Sequence, residues 1–454
     1  MGEGLSGCER DGDLKRPTTV IILLGVGACC LAAGSVLTCG PRSVVDWQSL
    51  RAVVIESDDW GLAGFVPDAD AWRGLDRDQL DTGSFPDVYW LSTLEDSSMV
   101  TELNAVLSGH LGRDGHPAVL QPNYVMSSLA HDGEGWVRYD LPVLPPLYQR
   151  PGLWKAVENG VAGGTWYPEF HATWHYDPDL RKRDAVGSDI ARNVTDRGIL
   201  LFPGSERAKE LGLWRSDQDL ELELDHSLTV FRNLFGRDVA SVMAPDYHWD
   251  DRIETMWESR DLKVIQGKRE QRNPALGTGK SARLRKYVLR QWARLKHPGR
   301  TYLERNCRLE PVQSPDPDEV VKACVDDTRR AWSAGQPAIV ESHRVNFAHT
   351  DADLAALGRD ALDRYLEEIS DNPDEGPVFL TDHELAQLHV RGTSWCVRGG
   401  VVVVRNATRG RKVVSVPAEA FGQIAGSGRT YTHRHSQRGI LVIIPGASTI
   451  DLVP

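Results

Sequence analysis

The sequence predicts an α/β protein: a (β/α) barrel, deformed or seven-stranded, with a small C-terminal all-β module and an N-terminal membrane segment. Three observations lead there. Short β-rich runs alternate with helical ones from about residue 50, the alternation stops near Val390, and a long uncharged apolar run precedes both. A chain of 454 residues, 41% of them hydrophobic, has enough material for a large core and an appended module.

The apolar run, TTVIILLGVGACCLAAGSVLTC at residues 18–39, carries no charge and is long enough to cross a bilayer as a helix. Lys15 and Arg16 before it and Arg42 after it favour a signal anchor with a cytoplasmic tail. Residues 1–42 are therefore set apart from the fold, the membrane is an expected partner through them, and the barrel is expected outside the cytoplasm. Val26-Gly27-Ala28-Cys29 also resembles a lipoprotein cleavage box, which would replace the span by a lipid anchor. Of the seven cysteines, Cys307, Cys324 and Cys396 lie in the exported part at no metal-knuckle spacing and read as core thiols, with at most one disulfide.

The barrel is assigned to residues 43–392. Strand candidates are 51–57, 117–125, 164–171, 198–202, 239–245, 262–267, 301–306, 337–343 and 377–381, each a short β-branched or aromatic run. Helices fill the intervals, most clearly at 316–335, which opens on acids and closes on Gly335, and at 351–372, apolar at helical spacing. Residues 62–98, rich in Asp, Gly, Trp and Ser, read as a long loop or subdomain above the first strand. Residues 393–454 alternate β runs with Gly and Asn turns and form the β module. The strongly basic stretch 268–300 reads as a solvated helix face, or else as a hold on an anionic polymer. The net charge of −12 gives no overall field for nucleic acid, which is excluded as a partner.

Candidate chemistry sits at strand ends. VVIESDDWG, residues 53–61, carries Asp58 and Asp59 out of a buried run, where a barrel places catalytic groups. EFHATWH places His171 and His175 four apart, a spacing at which both imidazoles face one point if the segment turns helically. Two histidines and a carboxylate are the ligand set of an open metal site. His343 follows the penultimate strand in AIVESHRVNF.

The ordered series SDDWG, HATWH, APDYHW and SHRVNF, with RNCRLEP at 305–311, resembles the polysaccharide deacetylase family, metal-dependent carbohydrate esterases on a glycoside hydrolase/deacetylase β/α barrel, and within it an uncharacterised bacterial branch. The resemblance covers roughly residues 50–390. It implies that Asp58 is the general base, that Asp59, His171 and His175 hold a divalent metal, zinc before others, and that His343 is the general acid. It further implies that the Tyr247 backbone N–H serves the oxyanion. Trp60, Trp174 and Arg344, close to the motifs, are expected to contact substrate. Two departures are visible: Ala244 stands where the family's third motif has a base-orienting arginine, and QGKREQR replaces its fourth motif.

The expected activity is removal of acyl groups, N- or O-acetyl, from a cell-surface or extracellular polysaccharide. A catalytically inactive carbohydrate-binding or envelope-assembly relative on the same barrel is the alternative, and a glycosidase using Asp58 and Glu341 a further one.

Overall fold

The computed structural model describes residues 45–452 except 64, 74–86, 133, 180–181, 183–195, 200–209, 212–214, 269–279, 372–374, 419, 421–433 and 437–438. The apolar run at 18–39 lies outside the described residues, as does most of the expected strand at 198–202. Among the described residues, no helix is long and apolar enough to cross a membrane.

Among the described residues, nine strands form one parallel sheet: β1 (Ala52–Trp60), β2 (Leu120–Val125), β3 (Glu169–Ala172), β4 (Ser241–Val242), β5 (Val264–Gly267), β6 (Thr301–Glu304), β7 (Cys307–Arg308), β8 (Ala338–His343) and β9 (Val378–Phe379). The spatial order is β6-β5-β4-β3-β2-β1-β8-β7, with β9 paired to the start of β1. Its two end strands, β6 and β7, are halves of one segment. Between them, the Arg305 and Asn306 amides donate to Gly267 O on one flank and Ile339 O on the other, at 2.9 and 3.1 Å. The sheet therefore curls until its two edges meet at Arg305 and Asn306.

Crossover helices α1 (Ser97–Gly109), α2 (Leu153–Gly163), α3 (Asp217–Phe235), α4 (Asp251–Ser259), α5 (Lys280–Lys296), α6 (Pro317–Ser333), α7 (Ala352–Ile369) and α8 (Asp382–Arg391) complete the β/α repeat. Their starts follow capping chemistry: Asp316 accepts from the Glu319 amide, and Thr381 and Glu384 form a capping box at α8. Successive side chains of β1 face opposite ways. Val53 and Ile55 join the large core that the helices cover, while Ala52 and Val54 pack with Leu303, Ile339, Leu385 and Leu388. Toward the C-terminal end, the face of Ala52 and Val54 turns polar, with Glu56 and then Asp58.

Parts of the expected loop at 62–98 fold back over the strand ends. Leu62, Phe65, Val66, Trp72 and Trp90 form an aromatic-rich cluster with Val125, Ala172, Tyr176 and Ile199. Cys307, Cys324 and Cys396 are buried free thiols, as burial of a small apolar-like side chain predicts.

After Thr393 all the described strands pair antiparallel. β10 (Thr393–Arg398), β11 (Val401–Asn406) and β15 (Ser448–Leu452) form one sheet; β12 (Lys412–Val416), β13 (Arg434–Ser436) and β14 (Gly439–Ile444) form another. Two buried arginines tie the first of these sheets to the parallel one. Arg398 donates to the Gly164, Phe379 and Pro117 carbonyls, and Arg405 pairs with Asp114 and Glu384. The described residues from Val45 onward accordingly form one compact unit. Asn406, which with Ala407 and Thr408 spells an N-glycosylation acceptor sequence, is used internally: its Nδ2 donates to Gly410 O and Pro445 O, both at 2.8 Å.

Replacing Arg405 by Met leaves Asp114 and Glu384 buried without their cation, and is expected to cost about 3–5 kcal/mol in urea-induced unfolding. Arg405→Met with Glu384→Gln should recover part of that loss, because one of the two orphaned charges is removed.

Candidate active site

The two adjacent acids serve different partners because β1 is irregular where they lie. β1 runs in register with β8, setting Asp58 opposite His343, but its pairing with β2 shifts between Ser57 and Trp60. Asp59 takes a left-handed backbone, φ +71°, a conformation that Asp tolerates better than most residues. A regular strand would send Asp58 and Asp59 to opposite faces. The irregularity instead turns Asp59 toward His171 and His175, while Asp58 keeps its place beyond Glu56.

Asp59 Oδ1 lies 3.2 Å from His171 Nε2 and 3.0 Å from His175 Nε2. The two histidines four apart face one point without a helical turn. His171 lies in β3, and His175 follows a bend and has φ +69°. His171 Nδ1 lies 3.1 Å from the Met243 carbonyl, which can only accept, so that nitrogen carries the proton. In the neutral ring, the Nε2 lone pair then points at a carboxylate oxygen. A divalent cation between them would satisfy both groups, as would a proton on Nε2. The three ligand atoms lie within 4.8 Å of one another, and an Asp-His-His set with the backing carbonyl suits a zinc-like divalent ion. Burial alone would raise the Asp59 carboxyl; the two imidazoles and His343 hold it well below the usual range.

Asp58 is held by a buried arginine. Arg305 donates from Nη1 to Asp58 Oδ2 and from Nη2 to Asp58 Oδ1, at 2.6 and 2.7 Å. Its Nε donates to Glu56 at 2.5 Å, and the remaining N–H groups to the Tyr247 hydroxyl and Gln266 Oε1 at 3.0 and 3.1 Å. All five guanidinium donors are thus placed. Asn123 adds a 2.7 Å bond to Asp58 Oδ1 and is itself paired with Gln266. Burial opposes ionisation of Asp58, but Arg305, with His171 and His343, holds its carboxyl well below the usual range.

On the other side, His343 Nε2 lies 3.8 Å from Asp58 Oδ2, and its Nδ1 lies 2.5 Å from Glu310 Oε1. Glu310 is fixed in turn by Asn346 and Gln313, at 2.7 and 2.6 Å. Burial disfavours the charged imidazole, yet Glu310, Asp58 and Asp59 outweigh it and push His343 up to about 10. Glu341 accepts from the Tyr247 hydroxyl at 2.7 Å and pairs with Lys268 at 2.6 Å.

Asp58, Asp59, His171, His175 and His343 are therefore brought together. The expected oxyanion and substrate residues are placed otherwise. The Tyr247 amide donates to Ala244 O at 3.0 Å within a short turn, so it is spent there; the tyrosine enters the site through its hydroxyl. Trp60 is a core residue: its Nε1 donates to Ser57 Oγ, and its ring lies edge-on to Trp166 and stacked on Phe347. Arg344 is fully buried, donating to Leu62 O beside Glu95. Trp174 is buried, with the Arg138 guanidinium over its ring at 4.6 Å. Sequence reading assigned no role to Arg305, Glu310, Asn123 and Lys268. For the first two a signal existed, the RNCRLEP stretch, whose first and sixth residues they are.

Arg305→Met should destabilise the protein by about 3–5 kcal/mol at neutral pH, since two buried carboxyls lose their cation. Asp58 is depressed in the folded state, so the stability Arg305 supplies through it is present above the unfolded carboxyl value of 3.8 and is lost as pH falls toward the folded value. The gap between wild type and variant, followed by denaturation at several pH values, should therefore narrow on acidification below about pH 4.

No family profile matches the sequence, and no curated protein matches it. Solved structures show distant likeness. The 4-α-glucanotransferase of Thermococcus litoralis aligns with 73% of this chain at 8% identity and a TM-score of 0.38, and the alignment spans only 39% of that enzyme. The type III pullulan hydrolase of Thermococcus kodakarensis aligns with 92% of this chain and 84% of its own, at 13% identity and a TM-score of 0.31. The carbohydrate deacetylase Agd3 aligns with 88% of this chain and 65% of its own, at 10% identity and a TM-score of 0.36. Likeness at this level leaves the chemistry of the site to its own residues.

Proposed function

We propose that this chain is a metal-dependent hydrolase that removes acyl groups, N- or O-acetyl, from a polysaccharide. The observation that carries the reading is the convergence of Asp59, His171 and His175 on one point, beside a carboxylate and an imidazole that are separately oriented. A divalent ion bound by those three residues would supply Lewis-acid polarisation of the acyl carbonyl and a lowered pKa for the attacking water.

The remaining tasks fall to the chain's own groups. Asp58, kept ionised and rotationally fixed by Arg305 and Asn123, accepts the proton of the attacking water. Its basicity is low, which suits a water already acidified. His343, held protonated by Glu310, delivers a proton to the leaving amine or alcohol. With Nδ1 committed to Glu310, Nε2 is the nitrogen that faces the reaction. Tyr247 directs a hydroxyl toward the same side from between Arg305 and Glu341. Arg305 does from β6–β7 what the absent arginine at position 244 would do from β4, which favours the catalytic reading over a silent relative.

The glycosidase alternative is weaker on the same geometry. It needs one carboxyl held protonated as the acid, whereas Asp58 is held ionised by Arg305, and Arg305, His343 and Lys268 also keep Glu341 below its ordinary range despite burial. Attachment to an envelope through residues 18–39 is part of the proposal and rests on the sequence.

The purified chain should contain near-stoichiometric divalent metal by elemental analysis, and Asp59→Ala with His175→Ala should lose it. Acetate release from acetylated glycans should stop on chelation and return with zinc. Asp58→Asn should retain metal while kcat falls by about 10²–10⁴. A folded wild type that takes up no metal from zinc-containing buffer would sink the esterase reading.

A further inference from the structure

Helix α5 does not behave as the other crossover helices do. A crossover helix buries its apolar stripe on the sheet, but of the described side chains in α5 only Ala282 is buried. Leu284, Val288, Trp292 and Leu295 are 66%, 55%, 65% and 67% exposed, and Leu289 is exposed as well. At 100° per residue the first four lie within about a quarter of the helix circumference. They form one stripe of large apolar side chains that faces solvent along the whole helix.

The charge of the same helix is equally one-sided. Its 17 residues include seven lysines and arginines and no acid, in a chain whose net charge is −12. A helix with a solvent-facing Leu, Val and Trp stripe, dense basic residues and low overall hydrophobicity has the make-up of an interfacial helix. At 17 residues with seven basic side chains it cannot span a bilayer. A soluble polyanion would reward the basic residues but give the exposed stripe no partner. An anionic bilayer rewards both, because the headgroups take the cations while the stripe enters the acyl boundary.

We propose that α5 is a membrane-surface helix, whose apolar stripe of Leu284, Val288, Trp292 and Leu295 lies in the interface of an anionic lipid bilayer. This contact is separate from any anchoring by residues 18–39 and holds whether or not the metal site is catalytic.

The test uses the full chain and a local readout, so that partitioning of residues 18–39 does not mask the result. Hydrogen exchange of residues 280–296 is followed in buffer, on phosphatidylcholine vesicles, and on vesicles containing about one-third phosphatidylglycerol. Exchange should slow by about tenfold or more on the anionic vesicles only. The slowing should be lost in a variant carrying Leu284→Gln, Val288→Gln, Trp292→Gln and Leu295→Gln, which keeps every basic residue and replaces only exposed positions. The wild-type contrast between the two lipids stands even if that variant folds poorly. Unchanged exchange on anionic vesicles would overturn the proposal. So would equal slowing in the fourfold variant, which would mark a simple polyanion site. Slowing with protein concentration in the absence of lipid, together with a dimer by light scattering, would assign the stripe to a second copy of the chain.

Discussion

The site depends on a guanidinium buried between two carboxyls. Arg305 has no exposed side-chain surface and lies where the two edges of the sheet meet, with Glu56 and Asp58 on β1 across the interior. A cation in such a place is costly unless every donor is used. The surroundings meet that requirement with Glu56, both oxygens of Asp58, the Tyr247 hydroxyl and Gln266. One residue therefore does two jobs: it joins the ends of the sheet and fixes the rotamer and charge of the carboxylate at the mouth.

Behind Arg305 the polar contacts continue into the barrel instead of ending. Gln266 donates to Ser241 Oγ, which donates to Asp382 at the start of α8. Burial and Asp382 push the Glu56 carboxyl well above the ordinary range, and burial and Glu169 push Asp382 up to about 6. Glu56 Oε1 and Asp382 Oδ1 make no hydrogen bond among the described residues, so nothing offsets the cost of ionising both of these buried carboxyls. The consequence is a graded interior: an apolar end at Ala52 and Val54, a layer at Glu56 and Asp382 where ionisation is disfavoured, and an ionised layer at Asp58. The charge needed at the mouth is thereby kept from spreading into the core, where it would cost more.

The strands were legible because their outward positions are apolar whatever the inward ones do, so β2, β5, β6 and β8 fall within the expected runs, while β1 starts where expected and runs on past residue 57 to Trp60. The expected strands at 164–171 and 239–245 shrink to Glu169–Ala172 and Ser241–Val242. At the first of these, Trp166 makes only an isolated bridge to Leu120 before regular pairing begins. The five acids and histidines of the site were legible from residue type at strand ends. Their supports were not. Arg305 and Glu310 act across 247 and 33 residues of sequence, and no local periodicity reports such a distance. Trp60, Trp174 and Arg344 drew attention by sitting next to the motifs, but alternation along a strand and the bend after it send neighbours of a functional residue into the core.

Of the seven non-glycine residues with positive φ among the described residues, four lie at or beside the candidate site, and Arg51, Asp261 and Ala447 lie elsewhere. Asp59, His175, Asp246 and Tyr247 all have positive φ without being glycine, each at a cost of order 1–3 kcal/mol. A chain under selection for stability alone would place Gly or Asn there. A glycine at 59 or 175 would relieve the strain but remove one of the three side chains that could hold a metal ion, and a regular strand at β1 would aim Asp59 away from both histidines. Strain and the candidate site thus coincide at the same residues. The rigid Arg305 layer beneath is what allows the mouth to hold that strain, since Asp58, one residue before Asp59, cannot relax without breaking two charged hydrogen bonds in the interior.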